Sequence, residues 1–184
     1  MNFDELVLKR RSVRRFSARP VRREDILRCL EAARLAPSAC NSQPWKFIVV
    51  DDPVKKDRLA DRIFSGIYSM NEFAKSAPVI VAVVSEKMKL WAAIGARVRD
   101  TRYCLIDIGI ACEHFVLKAT ELGFGSCWIG WFDEKALKRE LAVPKDKRVD
   151  IVIALGYPAE EKAPVKLRKF MEEISASNQY DCPI

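Results

Sequence analysis

Histidine is nearly missing from this chain: His114 is the only one among 184 residues. Zinc centres draw on repeated Cys and His spacings, and with no Cys-x-x-Cys pair to add to that histidine, no metal site is expected. His114 lies inside an apolar helical stretch and reads as a packed or surface helix residue, not an acid–base group. The six cysteines, at positions 29, 40, 104, 112, 127 and 182, are scattered. The opening MNFDELVLKRRS puts acidic residues ahead of basic ones and has no cleavage pattern, so an export signal is not read. Free thiols and a cytoplasmic location are the expectation. No apolar run reaches the ~18 residues of a membrane span; the stretch 78–84 is short, and 105–117 is interrupted by Asp107 and Glu113. Repeats, low-complexity tracts and linkers are also missing, so residues 1–184 are read as one domain, long enough to bury a core.

What the chain has in excess is positive charge, 32 Lys and Arg against 25 Asp and Glu. That balance points to an anionic partner without choosing among nucleic acid, a phosphate-bearing cofactor and an acidic surface. Its distribution says more. Arg10, Arg11, Arg14 and Arg15 crowd one turn, Arg19, Arg22 and Arg23 follow, and Lys166, Arg168 and Lys169 cluster near the other end. A nucleic-acid module built on these arginines would need a helix-turn-helix or an RNA-recognition sheet, and neither pattern is present.

Periodicity places the elements. Helices are expected over 3–10, 22–36, 54–64, 67–76 and 99–122, and a short one near 169–175. Strands are expected at WKFIVVDD, at Pro78–Ser85, at Cys127–Phe132 and at Val149–Leu155, the second being β-branched throughout and hence central, covered on both faces. Asp133 reads as the N-cap of a further helix. The order implies an α+β fold, a three-layer sandwich with helices flanking a central mixed sheet of about four or five strands. The middle of the 99–122 helix, CLIDIGIACEHFVLKA, is apolar nearly all round, which calls for deep burial or a second subunit, and a homodimer is inferred from it.

Four constellations carry chemistry. Arg10, Arg11, Ser12 and Arg14 combine guanidinium forks with a hydroxyl, either a phosphate clamp or a solvated basic face. The loop Pro37-Ser38-x-x-Asn41-Ser42-Gln43-Pro44 offers amide donors and acceptors, or simply connects a helix to a strand. Gly123-Phe124-Gly125-Ser126-Cys127-Trp128-Ile129-Gly130 follows a helix and precedes a strand, the reverse of a dinucleotide-binding fingerprint. Its small residues would let backbone approach a flat ligand. Finally, Leu155-Gly156-Tyr157-Pro158 leads to Lys166 and Arg168, cations that either return to the N-terminal arginines or belong to a solvated tail.

In order and spacing these blocks resemble the nitroreductase family of FMN-dependent oxidoreductases. The resemblance runs through RRSVRRF (10–16), PVRREDILRCLEAARLAPSACNSQPWKF (20–47), SAPVIVAVV (76–84), IDIGIACEHFVLKATELGFGSCWIG (106–130), IALGYPAEEKAP (153–164) and VKLRKFMEE (165–173). It implies FMN at the interface of a homodimer. Arg10, Arg11 and Ser12, with Lys166 and Arg168, would hold its phosphate and ribityl chain, and Arg14 would face the pyrimidine edge. Pro37, Ser38, Asn41 and Gln43 would reach the flavin from the partner subunit, and the backbone of Trp128, Ile129 and Gly130 would lie along its ring. The long helix would form the dimer core.

The same resemblance implies a ping-pong reaction in which NADH or NADPH gives a hydride to the flavin and leaves before a small-molecule oxidant such as a nitroaromatic, quinone or free flavin takes its place. No catalytic side chain is expected, in keeping with the scarcity of histidine. The alternatives are a specialised flavin dehydrogenase or dehalogenase and a flavin-binding protein without turnover. No aromatic–glutamate lid like that of the iodotyrosine deiodinases is read, nor a match to the flavin-destroying branch. A lid would come from 63–74 or 86–100.

Overall fold

The structure, a computed structural model, describes residues 1–160 and 165–183; residues 161–164, part of the GYPAEEKAP block, lie outside the described residues. Six α-helices are found among them: α1 (Phe3–Lys9), α2 (Arg23–Arg34), α3 (Pro53–Ile63), α4 (Leu90–Val98), α5 (Tyr103–Glu121) and α6 (Glu134–Glu140). Four strands join them: β1 (Trp45–Val50), β2 (Val79–Ser85), β3 (Gly125–Ile129) and β4 (Arg148–Gly156). The sheet order is β1-β2-β4-β3. All strand pairings are antiparallel, and the parallel component of the mixed sheet expected from the sequence is confined to an isolated bridge between Ser12 and Ser126.

Alternation along the central strands builds the three layers. On β2, Ile80, Ala82 and Val84 point to one core, shared with Leu59, Ala60 and Ile63 of α3 and with Ala136 and Leu137 of α6. Val79, Val81 and Val83 point the other way, to Ile26, Cys29 and Ala33 of α2 and to Ile108, Ala111, Phe115 and Val116 of α5. This period-2 pattern explains the β-branched run of β2: both faces are covered, and six of its seven residues are buried.

Local signals set the helix ends. Asp52 accepts from the Lys55 N–H at 2.8 Å, with Pro53 at the first helical position of α3, and Asp133 accepts from the Ala136 N–H at 2.9 Å, as the sequence predicts. At the end of α5, Gly123 takes φ +86°, which lets Phe124 N–H return to the Ala119 carbonyl at 2.8 Å.

Three elements differ from the sequence reading. Strand β3 begins at Gly125 and ends at Ile129, instead of spanning 127–132. The short helix near 169–175 is one 3-10 turn, Met171–Glu173. Segment 86–100, which matched no motif, contains α4; its Leu90, Trp91, Ile94 and Val98 are exposed, so no buried face marks it as a helix.

On α5, Asp107, Ile108, Ala111, Cys112, Phe115, Val116, Ala119 and Thr120 form one buried face. Along a second stripe Ile106 is 53% exposed, while Ile110 and Leu117 are partly buried within one chain. None of the described helices is long and apolar enough to cross a membrane.

Candidate functional site

The arginine segment is woven onto one corner of the sheet. Val13 N–H donates to the Ser126 carbonyl, Ser17 N–H to the Tyr157 carbonyl and Ala159 N–H to the Arg15 carbonyl, each at 2.9 Å. A bridge between Phe16 and Pro158 extends the pairing, and the Val13 and Phe16 side chains are buried. Such close approach explains two glycines. A Cβ on Gly125 would stand 2.5 Å from Val13 Cγ2, and one on Gly156 would stand 2.4 Å from Pro78 Cδ and 3.2 Å from Phe16 Cδ1.

Successive residues of an extended segment face opposite sides, and this separates the arginines. Arg10, Ser12 and Arg14 act on Cys127: burial pushes that thiol up, and Arg14, a hydrogen bond from Ser12, and Arg10 oppose the shift. Arg11 faces elsewhere. Its Nη2 donates to the Glu160 carbonyl at 2.8 Å, and it lines a cavity of about 700 Å³ together with Val13, Phe124, Gly125, Tyr157 and Lys166.

The C-terminal cations return to the arginine corner. Lys166 Nζ donates to the Val7 carbonyl at 2.7 Å. Partial burial, with Arg10 and Arg168 beside it, pulls the Lys166 ammonium below the usual lysine range. Arg168 is exposed, and its Nη1 donates to the Leu167 carbonyl at 2.7 Å. Against these three cations stands Glu113 of α5, 3.8 Å from Arg10 Nε. A cluster with more positive charge than its carboxylate neutralises fits a phosphate group.

Arg14 lies with its guanidinium carbon 5.9 Å from the centre of the Phe73 ring. Phe73 belongs to the 3-10 stretch Gly66–Ser76, which is fastened beyond the end of β3: Asn71 Nδ2 donates to the Trp131 carbonyl at 2.8 Å, and Trp131 Nε1 donates to the Ile67 carbonyl at 3.0 Å. Tyr68 and Trp131 rings are 5.2 Å apart. Sequence reasoning missed Phe73 as a neighbour of Arg14 and Asn71 as a partner of Trp131, since nothing local marks contacts between such distant segments. Ile129 is buried, Trp128 half-buried and Gly130 exposed. Among the described residues, no atom beyond its own chain neighbours lies within 4 Å of a Cβ built on Gly130, and the backbone there is open to a flat ligand.

The amide loop occupies the opposite corner. Gln43 N–H donates to Ser38 Oγ and Gln43 Nε2 to Asn41 Oδ1, both at 2.9 Å. Cys40, Asn41 and Gln43 have φ of 52°, 51° and 48°. Ser42 Oγ accepts from the Lys89 N–H at 3.2 Å, which ties the loop to the start of α4, and Ala39 N–H donates to Asp107 Oδ1 at 3.1 Å. Pro37, Asn41 and Gln43 are exposed and Ser38 is half-buried.

Within one chain these groups do not meet. Ser126 lies in the row of Leu155 and Val79, whereas Trp45 lies in the row of Ser85, across the sheet and six residues further along β2. With strands ~4.8 Å apart and a rise of ~3.3 Å per residue, the corners are about 25 Å apart. The 3-10 stretch beside Arg14 and α4 beside Ser42, the two segments named for a lid, stand at these separate corners.

The model of the nitroreductase family matches this sequence over residues 7–69 and 67–157. The chain belongs to the nitroreductase family. It is 34% identical to an Archaeoglobus fulgidus protein provisionally named NADH dehydrogenase/NAD(P)H nitroreductase, over 86% of each chain. A nitroreductase family protein of Clostridium difficile has a crystal structure that superposes with a TM-score of 0.81 at 29% identity, covering 97% of this chain and 99% of the other. An FMN-dependent nitroreductase of the same species gives 0.75 at 29% identity, covering 95% and 98%. Relatives with other names are similar too: an iodotyrosine deiodinase of Thermotoga neapolitana is 26% identical, over 86% of this chain and 89% of that one. A 5,6-dimethylbenzimidazole synthase of Rhodospirillum rubrum is 29% identical, over 86% and 82%.

Proposed function

We propose that two copies of this chain bind FMN between them and pass electrons from NADH or NADPH to a small oxidant of the nitroaromatic, quinone or flavin class. The observation that carries this reading is the cation cluster of Arg10, Lys166 and Arg168, with Lys166 held at the Val7 carbonyl of the N-terminal helix, at the edge of a nitroreductase fold. Arg10, Ser12, Lys166 and Arg168 hold the phosphate. Arg11, which donates to the Glu160 carbonyl and shares a cavity with Lys166, reaches the phosphate or ribityl chain from that side.

Bound FMN supplies the hydride and electron chemistry, and the chain binds and orients it. From beside Phe73, Arg14 stabilises the negative charge that the ring gains on reduction. The open backbone from Trp128 to Gly130 gives the ring a surface to lie along. Pro37, Ser38, Asn41 and Gln43 are supplied by the second copy, because in their own chain they stand at the far corner. Support for that second copy comes from Ile106 on α5, 53% exposed, and from the tail, where Val165, Leu167, Phe170 and Tyr180 are each more than three-quarters exposed. No side chain is assigned an acid–base role.

An absorbance spectrum of the purified protein, followed by anaerobic titration with each nicotinamide, tests the reading. A yellow protein that NADH or NADPH bleaches is expected; a protein that takes up no FMN contradicts it. The deiodinase and synthase relatives favour a second reading, a specialised flavin enzyme acting on one metabolite. Bound flavin that neither nicotinamide reduces is the result that reading predicts.

A further inference from the structure

Asp107 is out of place on the buried face of α5. Its neighbours there are Ile108, Ala111, Cys112 and Phe115, and it is 4% exposed. A carboxylate in such surroundings is costly unless its oxygens are engaged. One is: Oδ1 accepts the Ala39 N–H at 3.1 Å. Oδ2 has no partner among the described residues.

The hydrogen bonds of the amide loop show what the first contact does. Asn41 N–H to the Ser38 carbonyl, Ser42 N–H to the Ala39 carbonyl, Gln43 N–H to Ser38 Oγ and Gln43 Nε2 to Asn41 Oδ1 all stay inside the loop. Its Ser42 and Pro44 contacts run to Lys89 and Glu86, on the segment leading into α4. The bond from Ala39 to Asp107 is the one that reaches the buried core. Yet the loop holds three residues with a Cβ, Cys40, Asn41 and Gln43, in the left-handed region, which asparagine tolerates but which is disfavoured for Cys40 and Gln43. A chain bent that way keeps its shape only where surrounding contacts over-determine it.

We propose that Asp107 is the positioning residue of the amide loop, holding Ala39 so that Ser38, Asn41 and Gln43 keep the conformation that meets the flavin of the second copy. This inference rests on the reading that these residues face FMN. The burial of a carboxylate in an apolar face is thereby explained by ligand affinity and not by stability: the fold without it loses a desolvation cost, and the flavin site loses a wall.

Flavin-fluorescence titrations of four full-length proteins with FMN test it: wild type, Asp107→Ala, Asp107→Asn and Ala39→Pro. Proline at 39 removes the N–H donor from the other side; Ser38 is already extended, at φ −151° and ψ 155°, as a residue before proline should be. Asp107→Ala and Ala39→Pro should each weaken FMN by about ten-fold or more. Asparagine retains an acceptor oxygen for Ala39, so Asp107→Asn should restore affinity to within about three-fold of wild type. The double variant Asp107→Ala/Ala39→Pro should be no weaker than the poorer single one, since both remove one bond. Unchanged affinity in Asp107→Ala, additive losses in the double variant, or an Asp107→Asn as weak as alanine overturns the proposal. Should Asp107→Ala not fold, Ala39→Pro must weaken FMN and Asp107→Asn must not, and either failure overturns it. A wild type that binds no FMN at all removes the flavin reading and this inference together, whereas tight wild-type binding with indifferent variants removes this inference alone.

Discussion

Two corners of one sheet carry the residues proposed to hold FMN, and they are built in opposite ways. At the arginine corner the backbone is part of the fold: segment 12–17 pairs with Ser126, Tyr157 and Pro158, and Val13 packs so closely on Gly125 that a methyl group would collide. At the amide corner the loop is mostly bonded to itself and reaches the core through Asp107. The first corner presents fixed charge, suited to a phosphate that every FMN carries in the same place. The second presents neutral amides on strained backbone, and its contribution depends on where a second copy puts it. Loss of the first should therefore be felt in both stability and binding, loss of the second in binding alone.

Gly125→Val attacks that distinction most strongly. A branched side chain where even a Cβ lies 2.5 Å from Val13 Cγ2 must lift the arginine segment off β3. Overpacking of this kind costs ~1–3 kcal/mol, so the thermal midpoint should drop by several degrees and FMN uptake should vanish. Asn41→Ala in the loop, measured in the same way, should weaken FMN while leaving the midpoint close to wild type. Equal destabilisation by both substitutions would erase the difference between the corners.

The next effect in size concerns charge. Arg10→Ala combined with Arg168→Ala should weaken FMN by about 100-fold, since hydrogen bonds to a charged group are worth ~1.5–3 kcal/mol each. Riboflavin, which lacks the phosphate, should bind both proteins alike. Calorimetry with the two ligands reads the result, and a parallel loss for riboflavin would place these arginines somewhere other than at the phosphate.

Arg14 should give the smallest change. Arg14→Ala should leave FMN affinity nearly intact and lower the two-electron midpoint potential by roughly 30 mV, the equivalent of ~1.4 kcal/mol of lost interaction with the reduced ring. Spectroelectrochemistry on the fully loaded variant measures it; an unchanged potential would remove Arg14 from the ring.

Much of this arrangement was legible from residues alone, for identifiable reasons. An unbroken β-branched run marked β2 as a buried strand, and Asp133 and Gly123 announced a helix start and stop through chemistry that acts within one turn. What was hidden depends on contacts between distant segments. Gly125 read as part of a helix exit, because only the packed Val13 side chain shows it to be the first residue of β3. Helix α4 was invisible because its apolar residues Leu90, Trp91, Ile94 and Val98 face outward, without the polar face that makes amphipathicity readable. Arg10 and Arg11 are adjacent in sequence, and the residues alone did not show their separate partners, the Glu113 carboxylate and the Glu160 carbonyl. Asp107 registered only as a break in an apolar run, since a helix alone does not reveal that a loop sixty-eight positions upstream rests on its carboxylate.

Complementation between two damaged copies tests most directly whether the corners meet across a dimer. One copy carries Arg10→Ala and Arg168→Ala, the other Ser38→Ala and Asn41→Ala, and differently tagged chains are co-expressed so that only the mixed pair is recovered. Each parent pair should bind FMN poorly. The mixed pair should recover one wild-type-like FMN site per two chains, formed by intact arginines from one copy and an intact loop from the other. A mixed pair that binds no better than its parents would contradict the account, because the site would then be assembled within a single chain.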